Sequence, residues 1–413
     1  MSNATTQQSD SKSSNSHSNK QGQVILLLAL AAFSSTSAFR VLDPALPQLA
    51  KEFGVSTGKA ADVVTYFAMA YGIMQFFYGP VGDRFGKFQT LAFATLACAI
   101  GNVLVGLAPS FDYVLAGRIM SGATAAAIVP LSMAWIGDHV PYEQRQATLA
   151  QFMTGTIMGM TSGLVVGGFF TDTLGWRASF AFLAIVYAIV GCLLLLKRKM
   201  VPESVSSAKR LQIIGPIAQV FSTPWAQVVL LVVLIEGALV FGVMSFVPTY
   251  LQLRHELSST AAGLVTSLFG LGSLIYVARA KWLISRLGEA KMVVVGGWLM
   301  GTGYLTYCLG GHWVLACLGS VFCGFSYYLV HAVLQTNATQ MVPQVRATAV
   351  SLFASFLFGG QAIGVAIGAV IVDKGGPFWV IVCGMTLMPL LGMYFGWRLH
   401  KRSKLATSES PAK

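Results

Sequence analysis

The chain has 413 residues, of which 55% are hydrophobic and only 10% are charged. A soluble domain carries about a quarter charged residues, so this composition excludes an ordinary soluble fold and favours a protein embedded in lipid. The net charge of +12 does not indicate a nucleic-acid partner, because the basic residues are scattered rather than clustered on one face. The six cysteines fall in apolar stretches without metal-site spacing, so we expect no disulfide framework and no bound metal.

Residues 1–22 are polar and rich in Ser, Asn and Gln, which predicts a disordered tail. Apolar segments of about twenty residues follow, the length that a helix needs to cross a hydrocarbon core of roughly 30 Å. Because they lack the alternation of barrel strands, we predict an all-α membrane protein of twelve transmembrane helices. These spans are predicted at 24–46, 60–80, 88–108, 113–137, 146–170, 176–197, 226–249, 262–282, 291–310, 313–340, 347–371 and 378–398.

The Lys and Arg residues give the predicted spans an orientation. Of the 27 in the chain, 20 lie on the side of the N-terminus, five lie on the opposite side, and Arg40 and Arg118 lie within spans. Connections rich in Lys and Arg stay in the cytoplasm. We therefore predict a multi-pass protein of the inner membrane with both termini cytoplasmic.

An internal repeat divides the chain into two halves. The segment 82–87 before the third span recurs as segment 284–289 before the ninth, 202 residues later. The longest connection lies between the two copies and carries clusters of Lys and Arg. The predicted domains are an N-terminal six-helix bundle at 23–197, a cytoplasmic linker at 198–225, a C-terminal six-helix bundle at 226–398 and a cytoplasmic tail at 399–413.

Three charged residues lie within the first and fourth spans. Arg40 and Asp43 are three positions apart, so one helix face brings them together. Asp43 either exchanges a proton, in competition with Arg40 or Arg118, or forms a structural salt bridge near the outer water. Arg118 lies about six residues inside its span, where an arginine needs a partner or water. A coupling role and a purely structural ion pair both remain open for it.

The loop between the second and third spans contains glycines and charged residues at a characteristic spacing, namely Gly79, Gly82, Asp83, Arg84, Gly86 and Lys87. This spacing resembles the signature loop of the major facilitator superfamily. The resemblance implies the major facilitator fold of two pseudo-symmetric six-helix bundles, with alternating access. It also implies that this loop gates, with Asp83 facing a helix N-terminus and a nearby Arg and so latching the outward-open state. The alternative is a basic loop that only sets topology.

Further motifs resemble the twelve-helix drug:proton antiporter branch of that superfamily. Arg118 with Gly122 is similar to a motif of proton-coupled exporters. The segment 42–47 at the end of the first span resembles a motif that is common in that branch. Glycines of the fifth span resemble an exporter motif, although small residues at this spacing also pack any pair of helices. These glycines are Gly155, Gly159, Gly163, Gly167 and Gly168.

Polar residues in the seventh and tenth spans are further candidates. Glu236 lies at the centre of the seventh span, where a carboxyl group can exchange a proton, bind a cationic substrate or hydrogen-bond another helix. His331 and Gln335 share one face of the tenth span, and a histidine there relays a proton or simply packs. A cavity for the substrate is predicted to be lined by Tyr66, Tyr71, Gln75, Tyr327, Tyr328 and Gln335.

The sequence contains no phosphate-binding Gly-Lys-Ser/Thr loop and no nucleophile–base pair, so we predict neither an enzyme nor a cofactor. We predict a monomeric secondary active transporter that exports a small organic molecule or drug in exchange for protons. Asp43 and Glu236 are the proton carriers in this hypothesis. The alternatives are a proton-coupled importer or facilitator of an organic anion or sugar, which Arg40 and Arg118 would suit, and a transport-inactive sensor.

Overall fold

The computed structural model describes residues 3–198, 214–309 and 311–408, and almost all of this chain is helical. A π-helical turn at Ala238–Gly242 and 3₁₀ turns at Asp43–Ala45 and Pro343–Val345 interrupt or precede the helices. The α-helices are α1 (Asn3–Arg40), α2 (Leu46–Phe53), α3 (Thr57–Ala60), α4 (Asp62–Phe85), α5 (Lys87–Gly106), α6 (Phe111–Ala125), α7 (Ile128–His139), α8 (Tyr142–Thr173), α9 (Trp176–Lys197), α10 (Ile214–Ser222), α11 (Pro224–Gly237), α12 (Val247–His255), α13 (Ser259–Ser267), α14 (Phe269–Cys308), α15 (Val314–Gln340), α16 (Arg346–Gly375) and α17 (Pro377–Ser408).

Within the described residues, 11 apolar helical stretches are long enough to cross a membrane. One of them, Ser259–Cys308, has 50 residues, which is about 75 Å of helix and more than twice the thickness of a bilayer core. The backbone leaves the helical region at Gly288, where φ is 67° and ψ is 168°, and this residue divides the stretch into two spans. The predicted all-α fold of twelve transmembrane helices in two pseudo-symmetric six-helix bundles is confirmed. The spans are numbered 1–12 in chain order.

Prolines divide spans 1 and 4 into two helices each. Pro130 is the third residue of α7. In a continuous helix its ring would clash with the carbonyl group of residue 126, so α6 ends at Ala125 and α7 begins after it. Pro44 lies in the 3₁₀ turn that separates α1 from α2. Arg40 and Asp43 therefore lie at a break in span 1 rather than on a continuous helix, and main-chain groups at this break are free for other partners.

The internal repeat extends to the backbone conformation of the turns. Left-handed residues occur at matching positions of the two halves, 201 or 202 residues apart. The pairs are Gly54 (φ 63°) with Glu256 (φ 52°), Gly86 (φ 92°) with Gly288 (φ 67°), and Gly175 (φ 85°) with Gly376 (φ 86°).

Glycines bring span 5 against span 1, and span 11 against span 7. A Cβ atom at Gly167 would overlap the carbonyl oxygen of Val41, and a Cβ atom at Gly360 would overlap that of Leu234. Contacts this close require a residue without a side chain. Packing therefore explains these glycines physically, and their significance as an exporter motif stays a prediction.

The predicted tails and linker differ from the observed helices. The first helix, α1, begins at Asn3, so most of the segment predicted to be disordered is helical, and α17 continues to Ser408. Extending an existing helix costs far less than nucleating one, so a polar sequence can continue a membrane span. Residues 199–213 of the predicted linker lie outside the described residues, and α10 occupies part of the remainder.

Candidate functional site

A cavity of about 350 Å³ lies between the two halves, within the size range of sites that hold drug-sized molecules. Among the described residues that line it, none is Asp, Glu, Lys or Arg. Its walls are formed by Thr36, Tyr71, Gln75, Val129, Pro130, Met133, Met153, Thr156, Ile157, Met160, Thr161, Phe241, Phe269, Gly270, Ser273, Tyr327, Tyr328, His331, Gln335, Val350, Ser351, Phe353, Ala354, Leu357 and Phe358.

Five of the six residues predicted to line a cavity line this one, and Tyr66 does not. His331, predicted as a proton-coupling residue, lines it too. Tyr71 and Gln75 are four positions apart and share one helix face. Tyr66 precedes Tyr71 by five positions, which is about 140° around the helix. Tyr66 is not among the residues that line this cavity, and its role as a lining residue stays a prediction.

Glu236 is a buried ionisable residue that contacts the cavity wall through His331. Its Oε2 atom lies 2.9 Å from Nδ1 of His331, and the Glu236 side chain is fully buried. The His331 ring stacks on Tyr327 with ring centroids 4.7 Å apart and lies 5.4 Å from the ring of Phe353. Glu236 Oε1 has no hydrogen-bond partner among the described residues. His331 thus stands between a buried carboxyl group and the cavity.

A π-helical turn follows Glu236 directly, and the sequence analysis did not predict it. Such turns shift the hydrogen-bond register of a helix and leave carbonyl groups without an internal partner, and they are frequent at functional sites. The hydroxyl group of the buried Tyr304 donates to the Leu239 carbonyl oxygen at 2.7 Å. Glycines flank the turn at Gly237 and Gly242, which are the signal in the sequence that could have located it.

Arg40 and Asp43 form the predicted ion pair, with Arg40 Nε 2.9 Å from Asp43 Oδ2. Arg40 also donates from Nη1 to Ser245 Oγ across the two halves at 3.3 Å. A small chamber of about 10 Å³ lies beside Arg40 and shares wall residues with the cavity, including Thr161 and Phe241. Asp43 is fully buried and does not line the cavity.

Arg118 donates two hydrogen bonds within the N-terminal half, and its buried Nη2 has no partner among the described residues. It donates from Nε to the Val63 carbonyl oxygen and from Nη1 to the Ala38 carbonyl oxygen, both at 3.0 Å. Its guanidinium carbon lies 4.0 Å from the centre of the Phe67 ring. The described contacts do not include an ion pair between Arg118 and Asp43. Its coupling role stays a prediction.

Aromatic rings from both halves close the cavity on one side. The ring centroids of Tyr71 and Phe358 are 4.4 Å apart, and those of Phe39 and Phe358 are 5.2 Å apart. Phe241 lies on the same side, 6.5 Å from Phe39. The connections that follow odd-numbered spans lie beyond this aromatic cluster, at the odd-loop end of the protein. Both termini lie at the opposite, even-loop end.

The predicted gating loop lies at the even-loop end and is bound within its own half. Lys87 Nζ lies 2.5 Å from Asp138 Oδ2 of span 4 and 3.6 Å from Asp83 Oδ1. Gly86 has a φ of 92°, which an L-residue rarely adopts, and it begins span 3. Arg84 is exposed and lies over the neighbouring Phe85 ring. The latching role of Asp83 stays a prediction.

The twelve spans, the two similar halves and the central cavity define a polytopic membrane protein with a cavity between its halves. The model of the Major Facilitator Superfamily matches residues 28–278 and 253–412, so the chain belongs to this superfamily. The protein is therefore a membrane transporter and not an enzyme.

Relatives of the chain are transporters. It is 25% identical over 366 residues to YceJ of Bacillus subtilis (strain 168), an uncharacterized transporter of this type, over 88% of this chain and 93% of YceJ. It is 29% identical over 161 residues to the multidrug export protein EmrB of Haemophilus influenzae, over 38% of this chain and 31% of EmrB. The fold is similar to that of a bacterial homolog of the human lysosomal transporter Spinster in its inward-facing and occupied conformation, with a TM-score of 0.74, 18% identity and coverage of 95% and 99%.

Proposed function

We propose that the protein exports a small organic molecule across the inner membrane in exchange for protons, by alternating access. The observation that carries this proposal is the contact at 2.9 Å between the fully buried Glu236 and His331, which lines the cavity. An ionisable pair at this depth is costly to build, and in membrane proteins such pairs mark proton and substrate pathways.

The pair gives the cavity a charge that depends on protonation. With one proton, Glu236 and His331 together are neutral. Without it, the carboxylate leaves one negative charge beside walls that carry no other Asp, Glu, Lys or Arg among the described lining residues. A proton and a cargo molecule that satisfies the carboxylate therefore compete for one site, and this competition couples their movements.

The walls favour an aromatic cargo that is neutral or positively charged. Tyr71, Tyr327, Tyr328 and Phe353 present ring faces or edges to the cavity, and ring faces attract cations. Methionines on the opposite wall adapt to molecules of different shape. The similarity of 161 residues of the chain to a multidrug export protein supports export rather than uptake.

The direction of access follows from the charge distribution. The excess of Lys and Arg on the even-loop side supports a cytoplasmic position for that end and for both termini. Because the aromatic cluster closes the odd-loop side of the cavity, this conformation corresponds to an inward-facing state. In the outward-facing state we expect Asp83 to latch the even-loop end.

A panel assay tests this function. Cells that overproduce the wild-type protein are exposed to aromatic cations, neutral aromatics and organic anions, and their susceptibility is compared with that of cells producing Glu236→Gln. We expect protection against some aromatic cations or neutral aromatics, and loss of that protection in Glu236→Gln. Asp43→Asn should have the smaller effect. Glu52→Gln serves as a control because, among the described residues, Glu52 bonds only Trp176 and Arg177 in its own half. Full protection by both Glu236→Gln and Asp43→Asn would overturn the coupling assignment.

A second candidate is a proton-coupled importer or facilitator of an organic anion. The observation in its favour is Arg40, which lines the chamber next to the cavity. Vesicles with an imposed pH gradient separate the two functions, since an exchanger accumulates its substrate in vesicles that are acidic inside. A symporter accumulates it in vesicles that are acidic outside.

A further inference from the structure

A carboxylate at the end of span 11 binds the beginning of span 2 in the other half of the protein. Asp373 accepts a hydrogen bond from Ser56 Oγ at 2.7 Å through Oδ2, and from the Gly58 main-chain nitrogen at 2.8 Å through Oδ1. Ser56 is the N-cap of α3, and its Oγ also accepts from the Lys59 main-chain nitrogen. Free main-chain N–H groups and the helix dipole favour a negative charge at this position.

A second carboxylate, in the N-terminal half, makes the equivalent contact with the C-terminal half. Asp172, at the end of span 5, accepts from the Ser259 main-chain nitrogen at 3.1 Å through Oδ1. Its Oδ2 accepts from the main-chain nitrogen and the hydroxyl group of Thr260 at 2.7 Å and 2.6 Å. Ser258 is the N-cap of α13, the helix that begins span 8. Thus each half contributes one carboxylate and one helix N-terminus.

The two contacts occupy equivalent positions of the repeat. Asp373 follows Asp172 by 201 residues, and the N-cap Ser258 follows the N-cap Ser56 by 202, the same interval that separates the left-handed turn residues. Both contacts lie at the odd-loop end, beyond the aromatic cluster. The internal repeat therefore yields two latches related by the pseudo-symmetry of the halves.

Beside each carboxylate, a glycine allows the main chains of the two halves to approach closely. A Cβ atom at Gly58 would overlap the Ala369 carbonyl oxygen and lie 2.5 Å from Cγ of Asp373. A Cβ atom at Gly168 would overlap the Ser259 carbonyl oxygen. These contacts between halves cannot persist when the odd-loop end opens, because opening separates spans 2 and 5 from spans 11 and 8.

We propose that Asp172 and Asp373 are positioning residues that hold the odd-loop end closed by binding the N-termini of spans 8 and 2. Opening this end requires both carboxylates to leave these donors. The pair thereby sets the equilibrium between the two access states. This inference rests on the two-half fold and is independent of the cargo and of proton coupling.

Distances between spin labels in the full-length protein test the proposal. One pair of labels, at Lys51 and Arg254, reports on the odd-loop end, and a second pair, at Gln144 and Gln344, reports on the even-loop end. All four positions are exposed, and the native cysteines are first replaced. Double electron–electron resonance on protein in nanodiscs then gives the populations of the two states without any cargo.

The expected result is a shift towards the state that is open at the odd-loop end. One Asp→Asn substitution at 172 or 373 should change the ratio of closed to open populations about threefold, and the double variant about tenfold. The even-loop labels should move closer together in the same samples. Glu52→Gln is the matched control, because it removes a carboxylate at the same end that bonds only within one half, and it should leave both distances unchanged.

Unchanged distance distributions in the folded double variant would overturn the proposal. If that variant does not fold, Thr260→Ala removes only the hydroxyl donor to Asp172 and leaves the N-cap Ser56 intact. This milder variant should shift the populations in the same direction by a smaller factor, and no shift would overturn the proposal equally. A loss of export without a change in these distances would count against the latch while leaving the proposed function intact.

Discussion

Replacing His331 by alanine tests whether the Glu236–His331 pair retains a proton inside the protein. In the wild type the two side chains lie 2.9 Å apart, and Glu236 is fully buried. A buried carboxylate without a partner is costly, and under the proposed function the pair holds one proton and carries no net charge. In His331→Ala, Glu236 has to bind that proton alone.

The size of the effect follows from ordinary side-chain acidities. At pH 7, protonating an imidazole of ordinary pKa costs about 0.7 kcal/mol, and protonating a carboxyl group of ordinary pKa costs about 3.7 kcal/mol. His331→Ala should therefore lower the free energy of unfolding by about 3 kcal/mol at pH 7 through this effect. At pH 5 the cost of protonating a carboxyl group of ordinary pKa falls to about 1 kcal/mol, so the destabilisation should not exceed about 1 kcal/mol.

The assay is denaturant unfolding in detergent micelles at pH 5, 6 and 7, followed by tryptophan fluorescence. The variant also loses ring contacts with Tyr327 and Phe353, but that loss does not depend on pH. In a Glu236→Gln background no carboxyl group has to take up the proton, so the same substitution should lack most of the cost of about 3 kcal/mol at pH 7. A pH-independent destabilisation by His331→Ala in the wild-type background would refute the idea that the pair holds a proton.

Three further variants test the packing and the cavity. Gly167→Ala should lower the free energy of unfolding by about 1–3 kcal/mol, because its Cβ overlaps the backbone of span 1, whereas Gly155→Ala, with its nearest neighbour 3.5 Å away, should change it by less than about 0.5 kcal/mol. Tyr304→Phe should cost about 1–2 kcal/mol in thermal unfolding, since it leaves a buried carbonyl group of the π-helical turn without its donor. Gln75→Leu should weaken cargo binding several-fold in a binding titration, because its buried Oε1 has no partner within the described protein, whereas Tyr66→Phe should leave it unchanged.

The sequence predicted the fold well because its strongest signals are compositional. The lengths of the apolar segments predict the spans. The repeated loop segments also share a positive φ in the structure, at Gly86 and Gly288. The one merged stretch shows the limit of this reasoning. Hydropathy predicts two spans there but does not reveal that helical backbone continues almost to Gly288 on one side and resumes at once on the other.

The site was predicted less completely, because it depends on contacts between distant spans. Glu236 and His331 were separate candidates in sequence, and only the fold shows that they are in contact 95 positions apart. Asp172 and Asp373 were not singled out at all. Each lies near the end of a span, where an acidic residue has no unusual pattern, and its significance comes from the helix N-terminus that the opposite half places beside it.

The most direct test of proton exchange at Glu236 is cargo accumulation by reconstituted vesicles under an imposed pH gradient. The cargo is the compound of the susceptibility panel that the wild-type protein excludes best. The account predicts that wild-type vesicles with an acidic interior concentrate it above the external level, and that vesicles with Glu236→Gln only equilibrate it. Accumulation in vesicles with an acidic exterior, or equal accumulation by Glu236→Gln, would contradict the account.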